Sequence, residues 1–149
     1  MLTNTILAFS LSMFVCPSPS ATAQCYRAGW GPVSTYGRMY DPRTVETVAG
    51  EIAKVERVAP LRGMHRGVHL VLKLERGESL AVHLGPEWYV DRQDITFEPG
   101  DKVEVRGSRV TFEGKPVIIA AEVKKDGQTL HLRDANGVPA WTGWRRRGR

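Results

Sequence analysis

Four histidines, His65, His69, His83 and His131, carry most of the reactive chemistry in this chain. Imidazole is the commonest protein metal ligand and the side chain that titrates nearest neutral pH. His65 and His69 stand four apart, which would align two ligands on a helix, but Gly63, Gly67 and a two-residue apolar period argue for extended chain. On strands, His69 and His83 fall in the outward set of a hairpin. If Leu74 opposes Leu80, His83 opposes Val71 and lies diagonal to His69, about 7 to 8 Å away at Cα. A metal ion shared by His69 and His83 is thus a candidate, with His65, His131 or Glu75 as a third ligand. A tight zinc site wants four N or S donors, so solvated strand histidines are the simpler expectation.

Other catalytic chemistry is thin. Glu87, Asp91 and Asp94 cluster around one short segment, where they serve helix ends more simply than acid-base work. The sequence has no Gly-x-Ser-x-Gly elbow, phosphate loop, His-Glu-x-x-His or Cys-His nucleophile pairing. A non-enzyme is expected, with no cofactor beyond that candidate ion.

Charge points to the C-terminus. Net charge is +5, and Arg145, Arg146, Arg147 and Arg149 supply four of the 21 basic residues, leaving 17 against 16 acidic ones. The basicity is a tail rather than a face. Trp141 and Trp144 stand beside it, and Trp with Arg is a typical hot-spot pairing. The expected contact surface is the outer face of the hairpin, His69, Val71, Lys73, Ala81 and His83, with Arg133, Trp141, Trp144, Arg145, Arg146 and Arg147. Closure of the barrel end by one indole is the plainer role for the tryptophans. The tail suits an anionic membrane surface or a loosely held polyanion.

Residues 1–23 contain no Lys, Arg, Asp or Glu. An apolar run from Ile6 to Val15, a Pro/Ser spacer and Ala21-Thr22-Ala23 have the order of a secretory signal peptide, with cleavage between Ala23 and Gln24. Export to the periplasm follows, or membrane anchoring if the segment is retained. The apolar run is about half the roughly 20 residues that span a bilayer. Cleavage removes Cys16 and leaves Cys25 without an internal partner.

The elements that position these residues are strands. Residues 24–44 read as an irregular arm whose Trp30, Tyr36 and Tyr40 pack on the body. VETVAGEIAKVERV is a strand bulged near Ala53, and GVHLVLKLERG and SLAVHLG form a hairpin with Val68, Leu70, Leu72, Leu80, Val82 and Leu84 inward. PEWYVDRQD starts a short helix with Trp88 or Tyr89 turned to the core. Two more strands reverse at Glu113-Gly114, and QTLHLRD pairs with VPAWTGW across Asn136-Gly137. Strand, strand, strand, short helix, strand, strand is the order of a five-stranded OB barrel, here with an appended hairpin and spanning 45–144 as one domain.

Gly50-x-Ile52, Leu84-Gly85-Pro86-x-Trp88-Tyr89, Pro99-Gly100-Asp101-x-Val103-x-Val105-x-Gly107 and the LRDANGVPAWTGW ending resemble exported bacterial OB-fold proteins. Among these the chain is similar to the C-terminal domain of the magnetosome MamS/MamX family, over roughly Val45 to Trp144. The resemblance implies a binding or assembly module in a magnetosome or envelope metal and redox pathway, its partner another envelope protein. Haem attachment does not carry over, because no Cys-x-x-Cys-His is present. Oligonucleotide binding is the other use of the fold. It is not expected here, because the hairpin strands carry no Phe, Tyr or Trp on which bases stack.

Overall fold

The computed structural model describes residues 29–142. The signal-like segment with Ala23 and Gln24, and Trp144 with the arginines of the tail, lie outside the described residues.

Six strands and one helical turn follow in chain order: β1 (Val45–Val58), β2 (Gly67–Leu74), β3 (Ser79–Pro86), α1 (Glu87–Val90), β4 (Lys102–Phe112), β5 (Lys115–Lys125) and β6 (Gln128–His131). β1 is long because it serves two neighbours. Its first half pairs with β4, from Val45↔Ser108 to Glu51↔Lys102, and its second with β2, from Gly50↔Leu74 to Val58↔Gly67. The two pairings overlap at Gly50 and Glu51, and a Cβ on Gly50 would stand 2.8 Å from the Lys73 carbonyl oxygen. The expected bulge falls between Ile52 and Lys54, and it bends the strand from one pairing to the next. Parallel contacts Ala81↔Val117, Val82↔Ile118 and His83↔Ile119 join β3 to β5 and close a five-stranded ring, with β6 outside it.

Alternation along β2 and β3 sends Leu70, Leu72, Val82 and Leu84 into the ring, where each is fully buried. Each such side chain contributes about 1.5–3 kcal/mol of apolar burial. β5 is buried from Val117 to Ala121 without alternation. A continuous apolar run is what a strand covered on both faces requires, and the outer cover here is the arm and the C-terminal segment. Trp30 and Tyr36 are 2% and 1% exposed. Asp41 caps a 3-10 turn at Pro42–Thr44, and its backbone N–H donates to the Ser108 hydroxyl at 3.0 Å, pinning the arm to β4. α1 is one turn long, and of its two rings Tyr89 is buried while Trp88 stays partly exposed.

Two expectations require correction. The β2–β3 register is Leu72↔Leu80 rather than Leu74 opposite Leu80. Gly77, at φ +83°, closes the turn one residue earlier than expected, over Glu75 to Gly77 rather than Arg76 to Glu78, with the Leu74 N–H donating to the Glu78 carbonyl at 2.8 Å, which slides the pairing by two residues. Inner and outer faces survive a shift of two. The terminal hairpin also differs. β6 pairs back on β5, from Glu122↔His131 to Lys125↔Gln128, through Asp126 and Gly127, both at positive φ. That is the Asp-Gly turn favoured by right-twisted hairpins. Asn136-Gly137 does sit in a turn, with the Asn136 and Val138 N–H groups donating to Asp134 Oδ1, but only the Arg133↔Pro139 bridge forms beyond it. Pro139 has no N–H with which to extend a ladder.

Candidate functional site

The slide of register puts His69 directly opposite His83. The rings stack with centroids 3.7 Å apart and an interplanar angle of 9°. Tyr36 of the arm lies nearly parallel to His83, at 5.9 Å and 19°, and its hydroxyl is 3.0 Å from His83 Nδ1. Phe112, at the end of β4, meets His83 edge-on at 5.2 Å. The imidazoles occupy the outer side of the strands, as alternation requires, but they are not solvated. His69 is 7% and His83 4% exposed, because the arm folds back over the hairpin. The expectation of solvent-facing histidines is corrected: strand parity sets which side a residue takes, and a covering segment decides whether that side is wet.

Burial governs their charge. It pushes His69 down to about 4, with Glu56 opposing weakly. It pushes His83 down to about 3, helped by the fields of His69 and Arg133. Both are therefore neutral at neutral pH. The Tyr36 phenol is pushed up by the same burial and keeps its proton. His69 Nε2 is buried without a hydrogen-bond partner.

This row floors a cleft of about 600 Å³. Val71 and Ala81 continue the floor, Val58 to Pro60 form one wall, and Phe112 with Lys115 to Val117 the other. The walls are thus the β1–β2 loop and the β4–β5 turn. That turn runs through Glu113 and Gly114, both at positive φ, at the reversal expected from the sequence.

The remaining expected contact residues do not join this cleft. Lys73 is exposed beside Glu51, Lys102 and Glu104 in a separate depression. Arg133 is 7% exposed, its guanidinium 4.8 Å from the Trp141 ring and 5.7 Å from that of Tyr40. A cation resting on aromatic faces is stabilised by their quadrupoles. Trp141 is 5% exposed, its Nε1–H donating to the Trp30 carbonyl at 2.8 Å. Its ring fills the space where a Cβ on Gly85 would come within 2.7 Å. Arg133 and Trp141 are therefore a clasp on the arm rather than a free contact surface, a second correction. Of the suggested third metal ligands, His65 and Glu75 lie in exposed loops and His131 is exposed on β6. Glu56, which the sequence reading did not single out, is the β1 partner of His69. Among the described residues no group of three or more His, Cys, Asp or Glu stands arranged to hold a metal ion.

A closed ring in the order β1-β2-β3-β5-β4, with a helical turn between β3 and β4 and an open cleft on the outer β2–β3 face, is an OB-type barrel. The chain belongs to the MamS/MamX magnetosome protein family, whose family model matches residues 44–130, more than half of its length. The match takes in Glu56, His69, His83 and Phe112, while Tyr36, Arg133 and Trp141 fall outside it. No curated protein matches the chain.

Proposed function

We propose that this chain is a non-catalytic binding module of the bacterial envelope, which takes a segment of another envelope protein into the cleft on the β2–β3 face. The observation that carries this reading is the position of the cleft. OB barrels bind extended ligands across strands 2 and 3 between the 1–2 and 4–5 loops, and the about 600 Å³ cleft opens between those loops. Its mix of apolar walls and a few buried polar groups is that of a recognition site.

The absence of catalysis rests on proton chemistry. A general base works best with a pKa near the working pH, and both imidazoles are held far below it. Export rests on the order of apolar run, spacer and Ala-Thr-Ala site in residues 1–23. Among the described residues no helix is long and apolar enough to cross a membrane.

Photo-crosslinking in intact cells tests the docking. A crosslinkable residue at Ala81 or Lys115 is expected to give one discrete adduct, and the same residue at Gln128 on β6 none. Equal adducts from all three positions, or none from the cleft, would contradict the reading. Terminal sequencing of the periplasmic fraction checks export, with Gln24 as the expected first residue.

A further inference from the structure

Arg133 is the one buried arginine among the described residues, 7% exposed where every other is open to water. Its backbone is fixed by an N–H that donates to the Ala121 carbonyl at 3.1 Å and by the bridge to Pro139. Its guanidinium stands between two rings, 4.8 Å from Trp141 and 5.7 Å from Tyr40. Both rings are themselves held. Trp141 donates to the Trp30 carbonyl and lies where a Cβ on Gly85 would come within 2.7 Å, and Tyr40 lies where a Cβ on Gly137 would come within 2.3 Å. The slot is therefore preorganised, its aromatic walls locked by packing.

The slot does not satisfy the charge it holds. Buried charges are normally paired and hydrogen-bonded, and a ring face attracts a cation without accepting the bonds of an N–H fork that points along the ring plane. No acid among the described residues pairs with Arg133, and its Nε is sealed without a hydrogen-bond partner. The adjacent Asp134 is committed elsewhere, its Oδ1 accepting from the Asn136 and Val138 N–H groups at 2.9 Å each. Nη1 and Nη2 are not sealed, so the end of the fork is the part a ligand can reach. The local field is positive. Burial raises the Tyr40 pKa, Arg133 and Arg106 pull it down and Asp134 pushes it up, which sets two cations against one carboxylate around this ring.

We propose that Arg133 binds a small carboxylate anion end-on, through Nη1 and Nη2, in the slot between Tyr40 and Trp141. A guanidinium fork matches the two oxygens of a carboxylate with parallel N–H···O bonds. One fork suits one negative charge, and the Asp134 carboxylate opposes a second. An opening of 7% admits an ion rather than a broad protein face, in keeping with the clasp. Because Tyr40 belongs to the arm and Trp141 to the C-terminal segment, the bound anion stabilises the closed clasp. Arg133 does not line the β2–β3 cleft, so this site and partner docking stand or fall separately.

The test is titration of the purified chain with sodium acetate at pH 7, with sodium chloride and phosphate at equal ionic strength, read at the Arg133 Nε–H resonance and by thermal melting. Acetate is expected to shift the resonance saturably with a Kd of about 1 mM, inside the limit for so small a ligand, and to raise the melting temperature. Arg133→Lys weakens acetate binding about 10-fold or more by losing the fork, and Arg133→Met abolishes the acetate-specific rise in melting temperature. A capped glutamate in place of acetate tells the sources apart: acetate alone binding assigns a free acid, and equal binding assigns an acidic side chain. The assignment is overturned if about 100 mM acetate, roughly 100 times the expected Kd, leaves the resonance unmoved, if chloride moves it equally, or if phosphate binds more tightly. The wild-type resonance decides the matter even if a variant unfolds.

Discussion

His69 and His83 stack face to face across β2 and β3, with ring centroids 3.7 Å apart and planes 9° from parallel. Two imidazoles at this distance cannot both be charged without strong repulsion, and their burial beneath Tyr36 removes the water that would screen it. The pair is therefore a neutral aromatic platform, and it ties the arm, the hairpin and the cleft into one unit.

The Tyr36 hydroxyl is the anchor of that unit. Tyr36→Phe keeps the ring stacking but leaves His83 Nδ1 without its partner at 3.0 Å. A loss of about 1–3 kcal/mol is expected from an unsatisfied buried group. Urea unfolding of the variant, compared at equal m-value, measures it.

Gly85 makes room for Trp141. In Gly85→Ala the new Cβ would stand 2.7 Å from the indole, so the ring must move. A destabilisation of about 1–3 kcal/mol is expected from overpacking, with a red shift of Trp fluorescence as the clasp on Trp30 opens. Gly77→Ala makes a useful contrast. Nothing crowds its Cβ, and any cost there comes from φ +83° alone, without the fluorescence change.

Acid should unfold the protein early. The folded chain holds His69 near 4 and His83 near 3, against 6.5 for ordinary histidine. The unfolded state thus takes up protons first, and stability present above pH 6.5 falls as the pH drops toward 4. By pH 5 the loss is about 2 kcal/mol per histidine. Denaturant melts at pH 8, 6 and 5 in metal-free buffer check the slope, which His69→Gln should reduce.

Lys73 supplies a negative control. It is exposed and lies in a depression apart from the cleft, so Lys73→Ala should change stability by no more than about 0.5 kcal/mol. In the same cells it should leave the Ala81 crosslink intact.

The ring was legible because its signals are local. Alternation at Val68, Leu70 and Leu72, the Gly85-Pro86 stop before α1 and the Glu113-Gly114 reversal each follow from short-range sterics and periodicity. The site was less so, because it depends on long-range placement. Nothing near His83 announces that Tyr36, 47 residues earlier, covers it. The unbroken apolar run Val117 to Ala121 was the available sign that the outer side of the barrel is covered. A one-turn choice at Gly77 decided whether the imidazoles sit diagonal or face to face. Asp126-Gly127 was as strong a hairpin signal as Asn136-Gly137, and Pro139 was the reason to prefer it. Glu56 could be placed beside His69 only once the Ala59 to Arg66 loop had fixed the pairing of β1 with β2.

The most direct test is the side-chain ¹⁵N and ¹H spectrum of His69 and His83 as a function of pH in metal-free buffer. Both imidazoles are expected to stay neutral from pH 8 to 5, with ring-to-ring contacts between them and a contact from His83 to the Tyr36 ring. Titration of either near 6.5, or the absence of those contacts, would contradict the buried pair on which the cleft is built.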